Sequence, residues 1–475
     1  MNLELYSAEQ VRHFDRVVID DYGISGLTLM RRAAEATVDV ADELWPDLTS
    51  VAVFCGSGNN AGDGYIVAGL MADRGIDVSV IVVGDPKKLG DDAAAARGFC
   101  ETTSARFDTQ MTYQKLIVDA LLGIGLSGAV SSRYAQVIEQ INDSGKPVLA
   151  VDIPSGLSAD SGNVLGTAIR ASATVTFIAR KQGLFAGRGP ALCGDVFCAD
   201  LDVPKEIFHT SNVQLLDIED CHLTRREPDA YKNNFGHVLV VGGDEGMGGA
   251  VMLASEAALR VGAGLVSVAT RPDNALALTS RRPEIMARGV SDDSELDPLI
   301  DRSSHIVVGP GLGQSDWSRW LFDRVLRADK PGVIDADALN LLSSKSVTVD
   351  DWILTPHPGE AARLLGKMDE NRFNAAGAIQ KKFKGVTVLK GAGTLITDGR
   401  MTSICPYGNP GMATAGMGDV LSGVIGGLLG QGLSPLAAAE KGVVFHAYAG
   451  DQAAKQGQRG MIATDLIPII RMLVG

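Results

Sequence analysis

The stretch VAVFCGSGNNAGDGYIVAG, Val51–Gly69, joins a β-branched apolar run to a glycine-rich segment and then to a second apolar stretch. This order predicts a strand, a turn and a helix, which together begin a parallel α/β sheet. Gly56, Gly58 and Ala61 match the G-x-G-x-x-G/A pattern of dinucleotide-binding folds, and Asp85 follows at about the expected spacing. A redox dinucleotide site is therefore one interpretation of this stretch, and a turn without a ligand is another.

Oxygen-bearing side chains distinguish this stretch from a simple redox fingerprint, in which small residues let the backbone approach a pyrophosphate. The predicted turn carries two amides and a carboxylate, and two later apolar runs, in VDALLGIGLSGA and VDIPSGL, are also followed by polar side chains. These polar residues are Asn59, Asn60, Asp63, Asp119, Asp152 and Ser155. Because ligands bind beyond the carboxyl ends of parallel strands, we expect one polar site there.

The composition limits the class of protein. The chain has 475 residues, of which 45% are hydrophobic and 21% charged, and its net charge is −14. This length predicts two or three globular domains, and the negative charge argues against nucleic acid or an anionic membrane as a partner. The 6 cysteines include no CxxC pair, which indicates buried thiols. Since the sequence has neither a signal-peptide pattern nor an uninterrupted membrane-length apolar segment, we expect a cytoplasmic protein.

Apolar runs alternate with helix-like stretches in both halves of the chain. The segment YSAEQVRHFDRVVIDDYGI has a capping-box pattern, Ser7 followed by Gln10, and predicts the first helix. A first series of apolar runs ends with ATVTFIA, and a second begins with HVLVVGG after the charged stretch IEDCHLTRREPDAYKNNFG. We therefore predict two α/β domains, residues 1–215 and 216–475, each with a mainly parallel sheet covered by helices.

The second half contains a candidate phosphoryl site in NPGMATAGMGDVLSGVIGGLLG. Gly416, Gly418 and Asp419 precede an apolar helical run, so backbone amides at the start of a helix can surround a phosphate. Asp419 is then placed to polarise a hydroxyl group that attacks this phosphate. Glycines that allow helix packing and an Asp that caps a helix would explain the same motif without a ligand.

Four more motifs follow apolar runs in this half, namely GPGLG, DADALN, TPHPGE and KGAGT. Lys390 of the last motif can neutralise a phosphate, and Gly391 and Gly393 let the backbone close around a nucleotide. His357 of TPHPGE is either a ligand-binding residue or an ordinary loop histidine. Together the motifs predict a nucleotide site at the carboxyl ends of the strands.

The motifs GSGNNAGDG, VDALLGIGLSG and VDIPSGL, in this order, resemble the N-terminal domain of the bifunctional NAD(P)H-hydrate repair enzymes. The resemblance covers about residues 8–215 and implies a Rossmann-like, three-layer α/β/α epimerase domain that interconverts the R and S hydrates of NADH and NADPH. It implies that the substrate is bound by Asn59, Asn60, Ala61, Gly62, Asp63, Gly123, Ile124, Gly125, Leu126, Ser127, Gly128, Ala129 and Asp152.

The same resemblance implies a potassium ion held by Asn60, Asp119 and Ser155. Asp152 lies beside this predicted ion site and is our candidate acid/base for the C6 hydroxyl group of the hydrated ring. The family often has Gly where this chain has Ala61, so a backbone that needs a positive φ there would be strained.

The later motifs NNFGHVLVVGG, GGAVMLAS, GPGLG, TPHPGE, KGAGT and GMGD resemble the NAD(P)H-hydrate dehydratase branch of the ribokinase-like superfamily. The resemblance implies a ribokinase-like α/β domain that binds the hydrated dinucleotide through Ala250, Gly311, His357 and Asp419. It implies an ADP site at Lys390, Gly391, Ala392, Gly393, Thr394 and Gly418. The family usually has GTGD where this chain has GMGD, and since Met417 changes a side chain rather than an amide, we expect catalysis to survive.

The two resemblances together predict a bifunctional metabolite-repair enzyme. Its epimerase, with Asp152 as catalytic residue, supplies the S hydrate to a dehydratase that uses ADP, has Asp419 as catalytic residue and releases AMP and phosphate. Mg²⁺ is expected with ADP, as in other phosphoryl transfers, and we expect a homo-oligomer. The alternatives are a vitamin or sugar kinase fused to a nucleotide-binding domain, a ligand-binding protein without turnover, and a dehydrogenase, for which the second half offers no recognisable substrate domain.

Overall fold

A computed structural model describes residues 3–475, which divide into two compact units between Val213 and Gln214. The sequence places its domain boundary between Leu215 and Leu216, close to this division. Among the described residues, no helix has the length and apolar character needed to cross a membrane.

The first unit contains one sheet with helices on its two faces. Its strands are β1 Ser50–Cys55, β2 Asp77–Val82, β3 Arg106–Asp108, β4 Leu116–Ala120, β5 Val148–Val151, β6 Ala173–Phe177 and β7 Asp195–Ala199. Its helices are α1 Ala8–Asp20, α2 Gly26–Leu44, α3 Asn59–Asp73, α4 Asp91–Glu101, α5 Ser132–Asp143 and α6 Gly189–Leu192. The strand order is β3-β2-β1-β4-β5-β6-β7, and neighbouring strands are parallel.

The side chains of β1 show why this sheet needs helices on both faces. Val51, Val53 and Cys55 pack in one apolar cluster with α1 to α4, whereas Ala52 and Phe54 pack in another with α5. Since successive side chains of a strand point to opposite faces, an uninterrupted apolar strand must be covered twice. This arrangement confirms the predicted three-layer α/β/α fold.

The second unit is built on a larger sheet with the order β11-β10-β9-β12-β13-β14-β15-β16-β17-β8. Its strands are β8 Val213–Leu215, which begins at the division between the units, β9 His237–Val241, β10 Leu265–Thr270, β11 Met286–Gly289, β12 His305–Val308, β13 Gly332–Ile334, β14 Trp352–Leu354, β15 Val386–Leu389, β16 Thr394–Thr397 and β17 Thr402–Cys405. The strands from β11 to β15 are parallel in this order, and β16 is antiparallel to both β15 and β17.

The helices of the second unit include two long ones near its C-terminal end. They are α7 Gly248–Val261, α8 Pro272–Arg281, α9 Asp293–Arg302, α10 Asp316–Leu326, α11 Ala336–Leu342, α12 Pro358–Leu365, α13 Arg372–Phe383, α14 Met417–Gly430, α15 Pro435–Ala454 and α16 Ala463–Leu473. Short 3-10 turns of the whole chain lie at Pro86–Lys88, Gln182–Leu184, Lys205–Ile207, Ile218–Asp220, Lys232–Phe235 and Pro410–Met412.

Local sequence signals account for most of these elements. Ser7 caps α1 by accepting a hydrogen bond from the Gln10 amide, and the Gln10 side chain completes the predicted capping box. The apolar runs of the sequence predict no strand at β3, β7, β8, β11 or β17. The edge strands β3 and β11 are largely exposed and therefore lack the apolar run that identifies a buried strand.

The segment after β1 corrects one expectation. The sequence predicts a turn at GSGNNAGDG, but α3 already begins at Asn59, so Asn59, Asn60 and Asp63 lie in its first turns. Ala61 is buried inside this helix and is not among the residues with positive φ, so the condition under which its backbone would be strained is not met.

Candidate functional sites

A cavity of about 790 Å³ opens at the carboxyl ends of the strands of the first unit. Most residues predicted to bind the hydrated dinucleotide line this cavity: Asn59, Asn60, Asp63, Gly123, Ile124, Gly125, Leu126, Ser127 and Asp152. The predicted residues Ala61, Gly62, Gly128 and Ala129 are not part of its lining. Gly62 faces α2 and α4 instead, because a Cβ atom there would lie 2.5 Å from Met30 Sδ and 3.0 Å from Ala93 Cα.

Asp152 is held in the cavity wall by a buried lysine. Its carboxylate accepts from Lys181 Nζ at 2.5 Å and from Thr176 Oγ1 and the Phe177 amide at 3.3 Å. Lys181 is 1% exposed, and its ammonium also donates to Thr176 Oγ1 and to the Phe177 carbonyl, each at 2.9 Å. The backbone of Asp152 is left-handed, with φ +66°. The carboxylate is thus fixed in orientation while it faces the cavity.

Asp15, Asp63 and Asp92 also line this cavity, and of these three only Asp63 was predicted from the sequence. Burial, together with the charges of Asp152 and Asp15, raises the pKa of Asp63 well above its usual range. Burial and the charge of Asp152 also raise the pKa of Asp15, which lies on α1. Lys181 acts on both of these carboxyl groups and opposes the shift, but burial and the neighbouring carboxylates outweigh it, so the protonated form of each is favoured.

The predicted potassium ligands lie at the start of α3, near the end of β4 and after β5. The Ser155 hydroxyl donates to Asp119 Oδ1 at 2.6 Å, and the Ser155 amide donates to Asp119 Oδ2 at 2.8 Å. Burial raises the pKa of Asp119 to about 6, although these hydrogen bonds oppose the shift. Both side-chain atoms of the buried Asn60 amide lack a hydrogen-bond partner within the described part of the chain. Gly123 lies beside Asn60, since a Cβ atom on it would be 3.6 Å from Asn60 Oδ1.

In the second unit, a buried ion pair joins β13 to the end of β15. Lys390 Nζ donates to Asp335 Oδ1 at 2.8 Å, and Asp335 also accepts from Thr355 Oγ1 at 2.7 Å and from the Ser422 hydroxyl. Burial lowers the pKa of Lys390, but Asp335 and Glu360 outweigh this effect and raise it. Gly418 lies against the pair, because a Cβ atom there would be 3.5 Å from Lys390 Nζ. Two predicted nucleotide-binding residues, Lys390 and Gly418, are thus neighbours.

Asp419 lies in the first turn of α14, directly after Gly418. Burial raises its pKa to about 7, the charges of Asp335 and Asp337 contribute, and Lys390 acts in the opposite direction. A carboxyl group with such a pKa exchanges protons near neutral pH, as a general base must. The role of Asp419 as the general base stays a prediction.

His357 caps α12 and connects this helix to the same cluster. Its Nδ1 accepts from the Gly359 amide at 2.9 Å, while Glu360 Oε2 accepts from the His357 amide at 2.8 Å and lies 3.8 Å from Lys390 Nζ. Partial burial, with Lys390 and Arg363, lowers the pKa of His357, which favours the neutral ring. The imidazole is half exposed and therefore open to a ligand.

The other two predicted dehydratase residues are neighbours of each other. Gly311 has φ +55°, and a Cβ atom on it would lie 3.0 Å from Ala250 Cβ and 2.6 Å from the Met247 carbonyl oxygen. Any larger residue at Gly311 would therefore collide with the start of α7.

Sequence reasoning missed functional residues that act through contacts distant along the chain. Lys181 follows the last apolar run of the first series, and a lysine directly after a buried strand is a signal that could have drawn attention to it. Asp335 and Glu360 belong to motifs that the sequence analysis quoted, DADALN and TPHPGE, but no role was assigned to either. Asp15 lies on an ordinary amphipathic helix and carried no local signal.

The matching families divide the chain as the structure does. Residues 238–472 match the family described as NAD(P)H-hydrate dehydratase, and residues 26–183 match the family described as YjeF-related protein N-terminus. A solved ribokinase-like superfamily protein from Enterococcus faecalis is 30% identical, with a TM-score of 0.53, over 56% of this chain and 96% of that chain. This likeness confirms the ribokinase-like fold of the second unit.

Some relatives align with this chain over nearly its whole length, and therefore over both units. The bifunctional NAD(P)H-hydrate repair enzyme of Coxiella burnetii is 47% identical, and the alignment covers 99% of this chain and 99% of the relative. The enzyme of the same description from Escherichia coli is 40% identical, over 99% of this chain and 94% of the relative. The chain therefore belongs to the family of bifunctional NAD(P)H-hydrate repair enzymes.

Proposed function

We propose that this chain restores hydrated NADH and NADPH in two steps, with one active site in each unit. The first unit epimerises the R and S hydrates, and the second dehydrates the S form at the expense of ADP. The observation that supports the proposal is that predicted residues of each activity lie together in its unit: Asn59, Asp63 and Asp152 line one cavity of the first, and Lys390 and Gly418 are neighbours beside Asp419 in the second.

In the first unit, the cavity binds the dinucleotide and Asp152 contacts the hydrated ring of this substrate. Lys181 and the Phe177 amide hold the Asp152 carboxylate in one orientation, so it moves a proton at the C6 hydroxyl group without rearranging. Asp63 and Asp15 supply or store the exchanged proton, since the pKa of each is raised. Asn59 and the segment from Gly123 to Ser127 bind the rest of the nucleotide.

Asn60, Asp119 and Ser155 fit a potassium ion. Hard cations bind carboxylate, amide and hydroxyl oxygens, which are the groups that these residues offer. The Asn60 amide is buried and unpaired within residues 3–475, and a bound cation would give its oxygen a partner. The ion would supply positive charge beside the bound dinucleotide.

In the second unit, the C6 hydroxyl group of the S hydrate attacks the β-phosphorus of ADP. Asp419 accepts the hydroxyl proton, an O–P bond forms at C6, and the bond from the β-phosphorus to the bridging oxygen breaks to release AMP. The phosphate ester then leaves C6 as phosphate while a proton leaves C5, which restores the ring double bond. Phosphorylation is needed because phosphate is a far better leaving group than hydroxide.

Lys390 and the start of α14 stabilise the charge on the transferred phosphoryl group. The described residues offer no cluster of three His, Cys, Asp or Glu side chains that could hold a metal ion. Mg²⁺, if it accompanies ADP, would therefore be held mainly by phosphate oxygens and water, as is common for this ion. The homo-oligomer, the cytoplasmic location and the absence of nucleic-acid partners expected from the sequence stay predictions.

The test is to incubate the protein with a mixture of R- and S-hydrated NADH in three parallel reactions, with ADP, with ATP and without nucleotide. We expect the reduced-nicotinamide absorbance to return completely with ADP and not at all without nucleotide. Recovery of the S share alone would contradict the epimerase assignment. A stable phosphorylated product without recovered absorbance would instead support the kinase alternative.

A further inference from the structure

A single buried arginine holds the loop between β15 and β16. Arg372, the first residue of α13, is 9% exposed, and its guanidinium donates to four successive parts of this loop. Nη2 donates to the Leu389 carbonyl at 3.0 Å and to the Lys390 carbonyl at 3.2 Å. Nη1 donates to the carbonyls of Ala392 and Gly393, the latter at 3.0 Å. Four backbone carbonyls, at the end of β15 and in the loop, therefore point toward the buried Arg372.

The charge of Arg372 has no counter-ion in the described part of the protein. No carboxylate of residues 3–475 forms an ion pair with it, and its Nε atom has no hydrogen-bond partner there. Burial lowers the pKa of Arg372 to about 10, so the guanidinium is still protonated at pH 7. A buried cation that is bound only by carbonyl groups leaves net positive charge beneath the loop.

Two backbone amides of the same loop are available as donors, one at the exposed Ala392 and one at the buried Gly393. The amides of Ala392 and Gly393 donate to no acceptor among the described residues, whereas Thr394 Oγ1 closes the loop by donating to the Gly391 carbonyl at 2.9 Å. Gly391 and Gly393 have φ values of +141° and +59°, which side chains rarely tolerate. Successive amides in such turns form concave sites for anions.

We propose that Arg372 is a positioning residue for the phosphate groups of ADP, which it serves through the Lys390–Thr394 loop. By binding the loop carbonyls from inside, Arg372 directs the amides of Ala392 and Gly393 toward the nucleotide, and its own charge finds its counter-ion in the phosphates across the loop. This inference rests on the proposed ADP site and adds to it a residue from a different element, α13.

The experiment measures ADP binding by calorimetry and steady-state kinetics with the S hydrate, in the full chain. The variants are Arg372→Met, Arg372→Lys and, as a matched control, Lys381→Met, which removes an exposed positive charge from the same helix. We expect Arg372→Met to weaken ADP binding by about ten-fold or more, since it removes every charged hydrogen bond to the loop. Arg372→Lys keeps the positive charge but loses the planar guanidinium that binds several carbonyls at once, so the affinity of this variant for ADP should be intermediate.

Only the KM for ADP should rise, because the hydrate is bound by other residues, and Lys381→Met should match the wild type. Circular dichroism and thermal unfolding report whether each variant is folded. If Arg372→Met does not fold, Arg372→Lys decides the question. A folded variant at Arg372 that binds ADP as tightly as the wild type would overturn the inference. Failure of the wild type to bind ADP would instead overturn the proposed function.

Discussion

The proposed role of Asp152 depends on its backbone conformation and on its ion pair with Lys181. Its φ of +66° is uncommon for a residue with a side chain, but Asp and Asn tolerate the left-handed region better than most residues. The conformation places the carboxylate between the cavity and Lys181, whose side chain is almost wholly buried. The motif VDIPSGL was sufficient to predict Asp152 as a candidate acid/base. Lys181 contacts Asp152 only once β6 and the following loop have folded.

We expect Asp152→Asn to slow the exchange of R and S hydrates by about a hundred-fold or more, the range for loss of a general acid/base. Asn preserves the size and the left-handed backbone, so the cavity should remain, while proton transfer is lost. Chromatography that separates the two epimers measures the rate. The control is Asp143→Asn, an exposed residue at the end of α5. An unchanged rate in Asp152→Asn would move the catalytic role to another group, with Asp63 as the next candidate.

Asp419 gives the dehydratase a pH dependence. Burial raises its pKa to about 7, and a general base acts only when deprotonated, so kcat/KM for the S hydrate should fall as the pH decreases below about 7. The Asp335 charge contributes to the shift, and Lys390 opposes it while bound to Asp335. Asp335→Asn should therefore move the inflection toward lower pH, because it removes a negative charge and frees the lysine. A profile that keeps its inflection in Asp335→Asn would show that a different group titrates.

At the scale of secondary-structure elements, α14 connects the proposed catalytic residue to the core. The helix carries Asp419 in its first turn and packs closely against α7 in its middle. This contact depends on glycine, since a Cβ atom on Gly423 would collide with the Ala254 carbonyl oxygen, and one on Gly427 would lie 2.7 Å from the Ala258 carbonyl oxygen. The small-residue face of the helix was visible in the sequence, but its partner α7 lies far away along the chain.

Gly423→Ala should destabilise the second unit by about 1–3 kcal/mol, the usual cost of overpacking a tight core. Gly377→Ala on α13 is the opposite case, because Gly377 is exposed and nothing lies within 4 Å of the added methyl group. That change should stabilise the protein by about 0.5–1 kcal/mol, since Ala has the better helix propensity. Urea unfolding of both variants measures the change in the free energy of unfolding, which should be negative for Gly423→Ala and positive for Gly377→Ala. Equal effects would mean that the α7–α14 contact is looser than the structure indicates.

At the scale of the whole molecule, the sequence predicted the order of the elements better than their contacts. The buried parallel strands were recognisable because each is a continuous apolar run, and most of the substrate-binding residues predicted from the motifs at their ends do line the cavity. The short edge strands β3 and β11 were missed because exposed strands carry mixed residues. Lys181 and Arg372 were missed because their functions arise from hydrogen bonds to other elements, which no local pattern encodes.

Two sites on one chain raise the question of whether the S hydrate must stay with the molecule that made it. Asp152→Asn leaves the dehydratase intact, so that variant alone should recover only the S share of a mixed hydrate sample. Asp419→Asn leaves the epimerase intact, so alone it should exchange epimers without recovering NADH. Since the substrate is a small, diffusible dinucleotide, we expect an equimolar mixture of the two variants to recover the whole sample.

The absorbance of reduced nicotinamide follows this complementation, and a sample without protein corrects for spontaneous exchange. If each hydrate must be repaired within one chain, the mixture should stop at the S share even though both activities are present. Dilution of the mixture sharpens the distinction, because free diffusion between molecules makes the rate of R recovery depend on protein concentration, whereas the wild type at saturating substrate should keep its rate per molecule. Complete recovery would show that the S hydrate need not pass directly between the two sites of one chain. The fusion would then serve to produce the two activities in a fixed ratio.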